Sequence, residues 1–144
     1  MVFERLNPDD IPLLFRLMHT YKESIGEAEL SEEQYSELNR AILKSEIIFF
    51  VAKHDEKLVA MCSVGIIFST YRCAHTGIFE DFFITEVYRH RGIARGLTSY
   101  VFSEMMAIGV VSLWVGSSDV DMELYKSLGF DTHLGSLLTW SSQE

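Results

Sequence analysis

The chain has 144 residues, 48% of them hydrophobic, which is enough to bury one good core and predicts a single domain over residues 1–144. Its formal net charge of -9, from 21 acidic and 12 basic residues, argues against nucleic acid as a main partner, because phosphate backbones would be repelled. The charged start "MVFERLNPDD" is unlike a signal peptide, no apolar run is long enough to span a bilayer, and two cysteines are too few for a disulfide framework, so we expect a cytoplasmic protein.

One strand and two helices are predicted before residue 46. The segment "VFERL" (2–6) predicts a short strand, and residues 7–26 predict a helix that begins at an Asn-Pro start signal. Ser31 is the predicted N-cap of a second helix over residues 31–45. The apolar stripe of the first helix consists of Leu13, Leu14, Leu17, Met18 and Tyr21.

Three consecutive strands follow the helices. Residues 46–54 and 57–71 are separated by two residues only, which is the pattern of an antiparallel hairpin. Residues 74–85 continue as a third strand, rich in β-branched and aromatic side chains. Cys62 and Cys73 lack metal-site spacing and are expected to be buried or half-buried thiols, with no role as nucleophiles.

The last third of the chain returns to helical spacing. Residues 92–108 predict a helix that Gly109 ends, and residues 110–116 predict a short buried strand. A helix within residues 117–130, capped by Ser118, and a final strand at residues 135–140 complete the order β-α-α-β-β-β-α-β-α-β, which predicts a mixed sheet of the α+β class. The predicted core faces are Ile93, Leu97, Tyr100, Val101, Met105 and Ile108 in the longer helix, and Val120, Leu124 and Leu128 in the shorter one.

A cluster of positive charge lies where the longer of these helices begins. Arg89, Arg91 and Arg95 face the positive end of the helix dipole, which repels them, and residues 87–103 contain no acidic side chain to cap the first turn. A bound phosphate or pyrophosphate would make each of these interactions favourable, and Gly92 would let the backbone approach it closely. The alternative is an exposed basic turn without a ligand. The run lacks the endings of a Walker loop and of a dinucleotide-binding loop, which favours a phosphate carrier of another kind.

Three segments resemble the GNAT N-acetyltransferase superfamily. "RHRGIA" (89–94) is similar to its Arg/Gln-x-x-Gly-x-Gly/Ala signature, "ELYKSLGF" (123–130) to its Leu-Tyr-x-x-Leu-Gly-Phe segment, and "IFEDFFI" (78–84) to the strand before the loop. The resemblance implies a GNAT-like fold, a mixed and mostly antiparallel sheet flanked by helices on both faces. It also implies an acyl-CoA-dependent N-acetyltransferase that moves the acetyl group of acetyl-CoA to a primary amine by direct attack through a tetrahedral intermediate, with no metal required.

That reaction needs a base for the amine and an acid for the departing thiolate. Tyr125 matches the family's tyrosine that protonates the thiolate; without the motif it would be a boundary aromatic residue with a wet hydroxyl. Glu80 and Asp81 are adjacent on a strand and are expected to face opposite sides of the sheet. We predict Glu80 as the base, directly or through water, because burial would raise its pKa; the alternative is that both carboxylates are structural and that ordered water takes the proton. His75 and His133 are weaker candidates for the same role.

The resemblance also places the cofactor along the loop and the strand before it. The pyrophosphate is expected at the loop and helix start, and the pantetheine arm is expected to pair with the strand backbone, which in the family is splayed from its neighbour by a bulge. Asp121 and Ser118 depart from the family's common Ala or Gly and Asn. The implied cofactor-binding residues are Phe82, Phe83, Ile84, Arg89, His90, Arg91, Gly92, Ile93, Ala94, Arg95 and Ser118.

The acceptor is left open as an amine on a small molecule or on a protein. The resemblance places the acceptor under the two N-terminal helices, whose acidic side chains could attract a cationic amine or could be a solvated face. A non-catalytic acyl-CoA-binding sensor and a nucleotide-dependent transferase are the alternative functions. The apolar segment "SLLTW" (136–140) could supply an edge for a homodimer. The acidic residues of the helical region are Glu23, Glu27, Glu29, Glu32, Glu33 and Glu37.

Overall fold

The computed structural model describes residues 1–143 and contains one five-stranded sheet with the strand order β1-β2-β3-β4-β5. The first four strands pair antiparallel in sequence, and β5 runs parallel to β4. This mixed, mostly antiparallel sheet with helices on both faces confirms the predicted α+β class. The strands are β1 (Val2–Arg5), β2 (Ile48–His54), β3 (Lys57–Ser69), β4 (Ala74–Ile84) and β5 (Ser112–Trp114), and the helices are α1 (Ile11–Ser24), α2 (Glu32–Leu43), α3 (Ile93–Ala107) and α4 (Met122–Leu128), with 3-10 turns at Pro8–Asp10 and Glu86–Tyr88.

Short sequence signals determine where helix α2 begins and where the chain turns between β2 and β3. Ser31 and Gln34 form a reciprocal capping box, in which the Ser31 hydroxyl accepts from the Gln34 amide nitrogen and the Gln34 side chain accepts from the Ser31 amide nitrogen. The predicted hairpin is present, because Asp55 and Glu56 both adopt positive φ angles, 47° and 64°, as a two-residue turn between twisted strands requires.

The sheet separates two apolar cores. On one face, α3 packs its buried stripe, which includes Leu97 and Val101, against side chains such as Phe50 and Phe79. On the other face, α1 packs Leu14 against β2 and β3, and α2 adds half-buried side chains such as Leu38 to the same core. None of the helices within residues 1–143 combines the length and the apolar composition needed to cross a membrane.

The sequence prediction is wrong near the C-terminus. Residues 135–140 form no strand, and the side chains of Leu138 and Trp140 are 93% and 86% exposed. The short helix begins at Met122, and the Ser118 hydroxyl donates to the Asp121 carboxylate (3.2 Å) instead of capping the helix. Val120 lies before the helix and is 90% exposed, and Leu124 is also exposed, so Leu128 is the one residue of the predicted face that is buried. The reason is geometric: the sheet ends at the three-residue strand β5, so little core surface is left for these apolar side chains to cover.

Smaller corrections have similar causes. The strand β5 spans three residues where seven were predicted, and α1 ends at Ser24, two residues before the predicted end. Cys62 is buried in the central strand β3 as expected, but Cys73 is exposed, because it lies in the turn between β3 and β4 with a positive φ of 51°. The stripe of α3 is buried from Ile93 to Met105, whereas Ile108 follows the helix end and is exposed.

Candidate functional site

The strands β4 and β5, the last pair of the sheet, separate after a short stretch of pairing. They pair only over Thr76–Ile78 of β4, so residues 79–84 have no strand partner on that side within the described part of the chain. Here β4 also contains a bulge, in which Asp81 and Phe82 lie opposite the single residue Cys62 of β3, and Asp81 has a positive φ of 53°. We call the resulting opening beside residues 79–84 the β4–β5 cleft. It is the feature that the family resemblance implies at this place.

The loop of residues 89–92 and the start of α3 follow at the end of this strand. Gly92 is the N-cap residue, with a left-handed φ of 81°, and no side chain caps the helix. The first intrahelical bond runs from Gly96 N to Gly92 O (3.0 Å), so the amides of the first turn have no partner inside the helix. A Cβ added at Gly92 would meet nothing within 4 Å, so the backbone at the helix start is open to an approaching group. The helix start therefore has both donors and space for an anion.

The arginines are held around this helix start without carboxylate partners. Arg89 Nε donates to the Ile84 carbonyl (2.9 Å) and its guanidinium lies 5.7 Å from the Phe83 ring centre, which attaches the loop to the end of β4. Arg91 lies over the ring of Tyr88 at 5.4 Å. Within residues 1–143, none of the salt bridges involves Arg89, Arg91 or Arg95. A diphosphate fits this group of residues, because it would neutralise the guanidinium charge and accept from the amides of the first turn.

Tyr125 lies at the cleft. It is half-buried on α4, and its ring centre lies 6.3 Å from that of Phe82 on β4 and 5.8 Å from that of Phe130. Burial, and to a lesser extent the charge of Asp121, raises the pKa of Tyr125 to about 12. The hydroxyl is therefore protonated at neutral pH and able to donate a proton. Ser118 is exposed, and its hydroxyl donates to the carboxylate of Asp121, four residues before Tyr125.

The bulge changes the positions of the two carboxylates. Glu80 and Asp81 both line the same cavity, so the expectation that they face opposite sides of the sheet is wrong, because the positive φ at Asp81 interrupts the alternation of the strand. Glu80 is exposed and Asp81 is half-buried. Burial raises the pKa of Asp81, while the ammonium of Lys22 and a hydrogen bond from the Tyr21 hydroxyl act in the opposite direction. We predicted Glu80 as the base because burial would raise its pKa, but the carboxylate that burial affects in this way is that of Asp81.

We call this space the α1–α2 cavity. It has a volume of about 250 Å³ and lies on the sheet face opposite α3, under α1 and α2. Sequence patterns did not single out its polar residues Lys22, Gln34 and Ser63, because each comes from a different element and no motif joins them. Its apolar lining consists of Met18, Leu30, Leu38, Ile47 and Phe49.

The two histidine candidates lie elsewhere. His75 is exposed near the start of β4 and contacts Phe68, with 5.6 Å between ring centres. Five residues of extended chain, about 17 Å, separate it from Glu80. His133 lies in the exposed segment after α4. No group of three or more His, Cys, Asp or Glu side chains in the described chain is arranged to hold a metal ion.

Solved structures share this architecture. A probable acetyltransferase superposes with a TM-score of 0.83 at 21% identity, covering 99% of this chain and 100% of the other. The aminoglycoside acetyltransferase meta-AAC0020 from an uncultured soil metagenomic sample, in complex with sisomicin, gives 0.86 at 16% identity, covering 99% and 96%. A predicted acetyltransferase with acetyl-CoA from Clostridium acetobutylicum gives 0.78 at 17% identity, covering 96% and 94%. At these identities the likeness establishes the fold.

The family itself is shown by the sequence comparison. No curated protein matches the chain significantly. The family model described as the acetyltransferase (GNAT) family matches residues 13–130, which include β4, the loop, α3 and α4 with Tyr125. The cleft, the uncapped helix start and the tyrosine on α4 therefore lie within the matched region, and the chain belongs to the GNAT family of acetyltransferases.

Proposed function

We propose that the protein is an acyl-CoA-dependent N-acetyltransferase that moves the acetyl group of acetyl-CoA directly to a primary amine, through a tetrahedral intermediate. The observation that carries the proposal is the uncapped start of α3, surrounded by unpaired arginines, at the end of the β4–β5 cleft. Acetyl-CoA supplies the acetyl group as a reactive thioester.

Different residues in and around the loop contact different parts of the cofactor. Amides of Ile93, Ala94 and Arg95 donate to the diphosphate, with the charges of Arg91 and Arg95 beside it. Arg89 is already bonded to the Ile84 carbonyl, so we assign it mainly to shaping the loop. The exposed His90 and Ser118 contact the outer part of the cofactor, and the backbone of residues 82–84 offers hydrogen bonds to the amide-containing arm.

Proton movements at the amine and at the thiolate accompany the transfer. A bound ammonium first gives one proton to Glu80, Asp81 or a water that they hold, because only the neutral nitrogen has a lone pair for attack, and the nitrogen loses a second proton to solvent once it is bonded to the acetyl carbon. As the carbon–sulfur bond breaks, the Tyr125 hydroxyl gives its proton to the thiolate. The raised pKa keeps this hydroxyl protonated until the thiolate forms. Its proton is then restored from solvent.

The substitution Tyr125→Phe tests the proposal. Thiol release should fall at least tenfold, because general acid catalysis typically contributes more than this, while the affinity for CoA measured by titration stays within about twofold. Tyr71→Phe is the matched control, because Tyr71 is 94% exposed in a turn. Saturable CoA binding without turnover of any amine would instead support the sensor. Displacement of CoA by adenosine diphosphate at equal concentration would support the nucleotide-dependent transferase.

Three further expectations are not tested by the structure. The cytoplasmic location, the homodimer and catalysis without a metal stay predictions from the sequence. For the dimer, the exposed Leu137, Leu138 and Trp140 remain the candidate contact, although they form no strand in the structure.

A further inference from the structure

The size of the α1–α2 cavity limits what it can hold. Its volume is about 250 Å³. Pockets that enclose drug-sized ligands measure about 300 to 1,000 Å³, so this cavity encloses a small group, and a larger molecule would extend beyond it into solvent. A multi-ring sugar would leave most of its surface outside.

The lining of the cavity favours a hydrocarbon body. Leu38 of α2, Met18 of α1 and Phe49 of β2 form part of the wall, and none of their side chains offers a strong hydrogen bond. A hydroxyl group that lies against these three side chains would lose its hydration without replacement, which costs free energy. An alkyl or aryl group would gain free energy by leaving water at the same place.

The charge of the cavity is concentrated at one end. Glu80 and Asp81 lie side by side on the bulge of β4, and the nearest cation, Lys22, is itself 3.9 Å from Glu27. Two carboxylates beside one partly compensated ammonium leave a net negative charge. This end can therefore attract one ammonium group, whereas the rest of the wall offers a second one no negative charge, only the neutral side chains of Gln34 and Ser63.

The acidic end also adjoins the proposed acid. The Tyr21 hydroxyl lies close enough to the Asp81 carboxylate to lower its pKa, and Asp81 is followed by Phe82, whose ring centre lies 6.3 Å from that of Tyr125. Tyr21 packs against Phe83 of β4 at 5.4 Å between ring centres. An amine held at Asp81 would thus lie next to the part of the cleft where Tyr125 acts.

We infer that the α1–α2 cavity binds a small primary monoamine with a hydrocarbon body, such as an alkylamine or an arylalkylamine, with its nitrogen at Asp81 and its body against Leu38 and Met18. The inference rests on the proposed function. It names an acceptor class that excludes polyamines and amino sugars with several charged groups.

The test is a thiol-release assay with acetyl-CoA and five acceptors: ethylamine, hexylamine, phenethylamine, spermidine and kanamycin, with a lysine-containing peptide as a sixth. We expect hexylamine or phenethylamine to give the highest kcat/KM, at least about tenfold above spermidine, kanamycin and the peptide, since burial of several CH₂ groups is worth more than this factor.

Asp81→Asn should raise the KM for hexylamine about tenfold or more, as expected for the loss of a hydrogen bond to a charged group, and leave CoA affinity unchanged. Glu33→Gln, at an exposed acid of α2, is the control.

A second variant separates packing from folding. Leu38→Trp fills the cavity and should raise the KM for hexylamine much more than the KM for ethylamine, which a general structural defect would not do. Leu43→Trp places the same side chain on an exposed position of the same helix and should change neither KM.

Preference for spermidine, kanamycin or the peptide, or an equal effect of Leu38→Trp on both amines, would overturn the inference while the proposed function survives. CoA binding with no acceptor among the six would also overturn it and support the sensor. Absence of CoA binding would refute the proposed function itself.

Discussion

The role of Gly92 can be tested by adding one methyl group. Gly92 has a φ of 81°, and a Cβ there would meet no protein atom within 4 Å. The substitution Gly92→Ala therefore costs only the strain of an L-residue in the left-handed region, about 1 to 2 kcal/mol, with no clash to relieve. For a domain of this size, that cost lowers the Tm by roughly 2 to 8 °C.

The effect on CoA should exceed this small loss of stability. In the proposed complex, the added methyl group occupies space that the diphosphate needs, and it keeps the anion from the amides of Ile93 and Ala94. Losing one or two hydrogen bonds to a charged group weakens binding by about 1.5 to 3 kcal/mol or more, a factor of about 10 to 150. The assay is calorimetric titration with CoA, at a temperature where the variant is folded by circular dichroism.

Gly109 offers a matched control. It follows α3 with a φ of 86°, and a Cβ there also meets nothing within 4 Å. Gly109→Ala should therefore cost the same stability and leave CoA affinity unchanged. Equal CoA affinity in both variants would refute the reasoning, because it would show that no anion approaches the backbone at Gly92.

Three other predictions follow from packing and charge. A Cβ at Gly96 would overlap the ring of Phe3. Gly96→Ala should therefore lower the free energy of unfolding, measured by urea denaturation, by about 1 to 2 kcal/mol, even though alanine is the better helix former. An unchanged midpoint of urea unfolding would show that the ring moves aside freely. A Cβ at Gly77 would lie 2.5 Å from Leu113 Cδ2 and 2.9 Å from Val64 Cγ1. Gly77→Ala should therefore separate β5 from β4, lower the Tm by several degrees and weaken CoA binding. The control Gly26→Ala, at an exposed position, should leave CoA affinity unchanged. Because burial raises the pKa of Asp81, the folded state holds this proton more tightly than the unfolded state does, and the resulting stability is lost as the pH rises above the ordinary pKa of 3.8. Asp81→Asn should therefore unfold at a higher Tm than the natural protein at pH 7 and at the same Tm near pH 3. A lower Tm of the variant at pH 7 would contradict the raised pKa.

The sequence was sufficient where a local signal and the tertiary structure agree. The hairpin at residues 55–56, the capping box of Ser31 and Gln34, and the stripe from Ile93 to Met105 each depend on residues close together in the chain. The same holds for the loop of residues 89–92, because a helix start and its flanking charges are properties of one segment. The motifs in "RHRGIA" and "ELYKSLGF" gave the family for the same reason.

The remaining features depend on how distant segments meet. Strict alternation along β4 predicts opposite faces for Glu80 and Asp81, but the bulge opposite Cys62 brings both into one cavity, and only the pairing of β4 with β3 creates that bulge. Apolar residues at 135–140 predict a strand, yet a strand needs a partner edge. The sequence by itself therefore determined most of the elements and the loop with its uncapped helix start, since these are set by short-range geometry and charge. The tertiary structure alone decided which carboxylate is desolvated and what cavity lies beside it, because burial is set by side chains from five different elements.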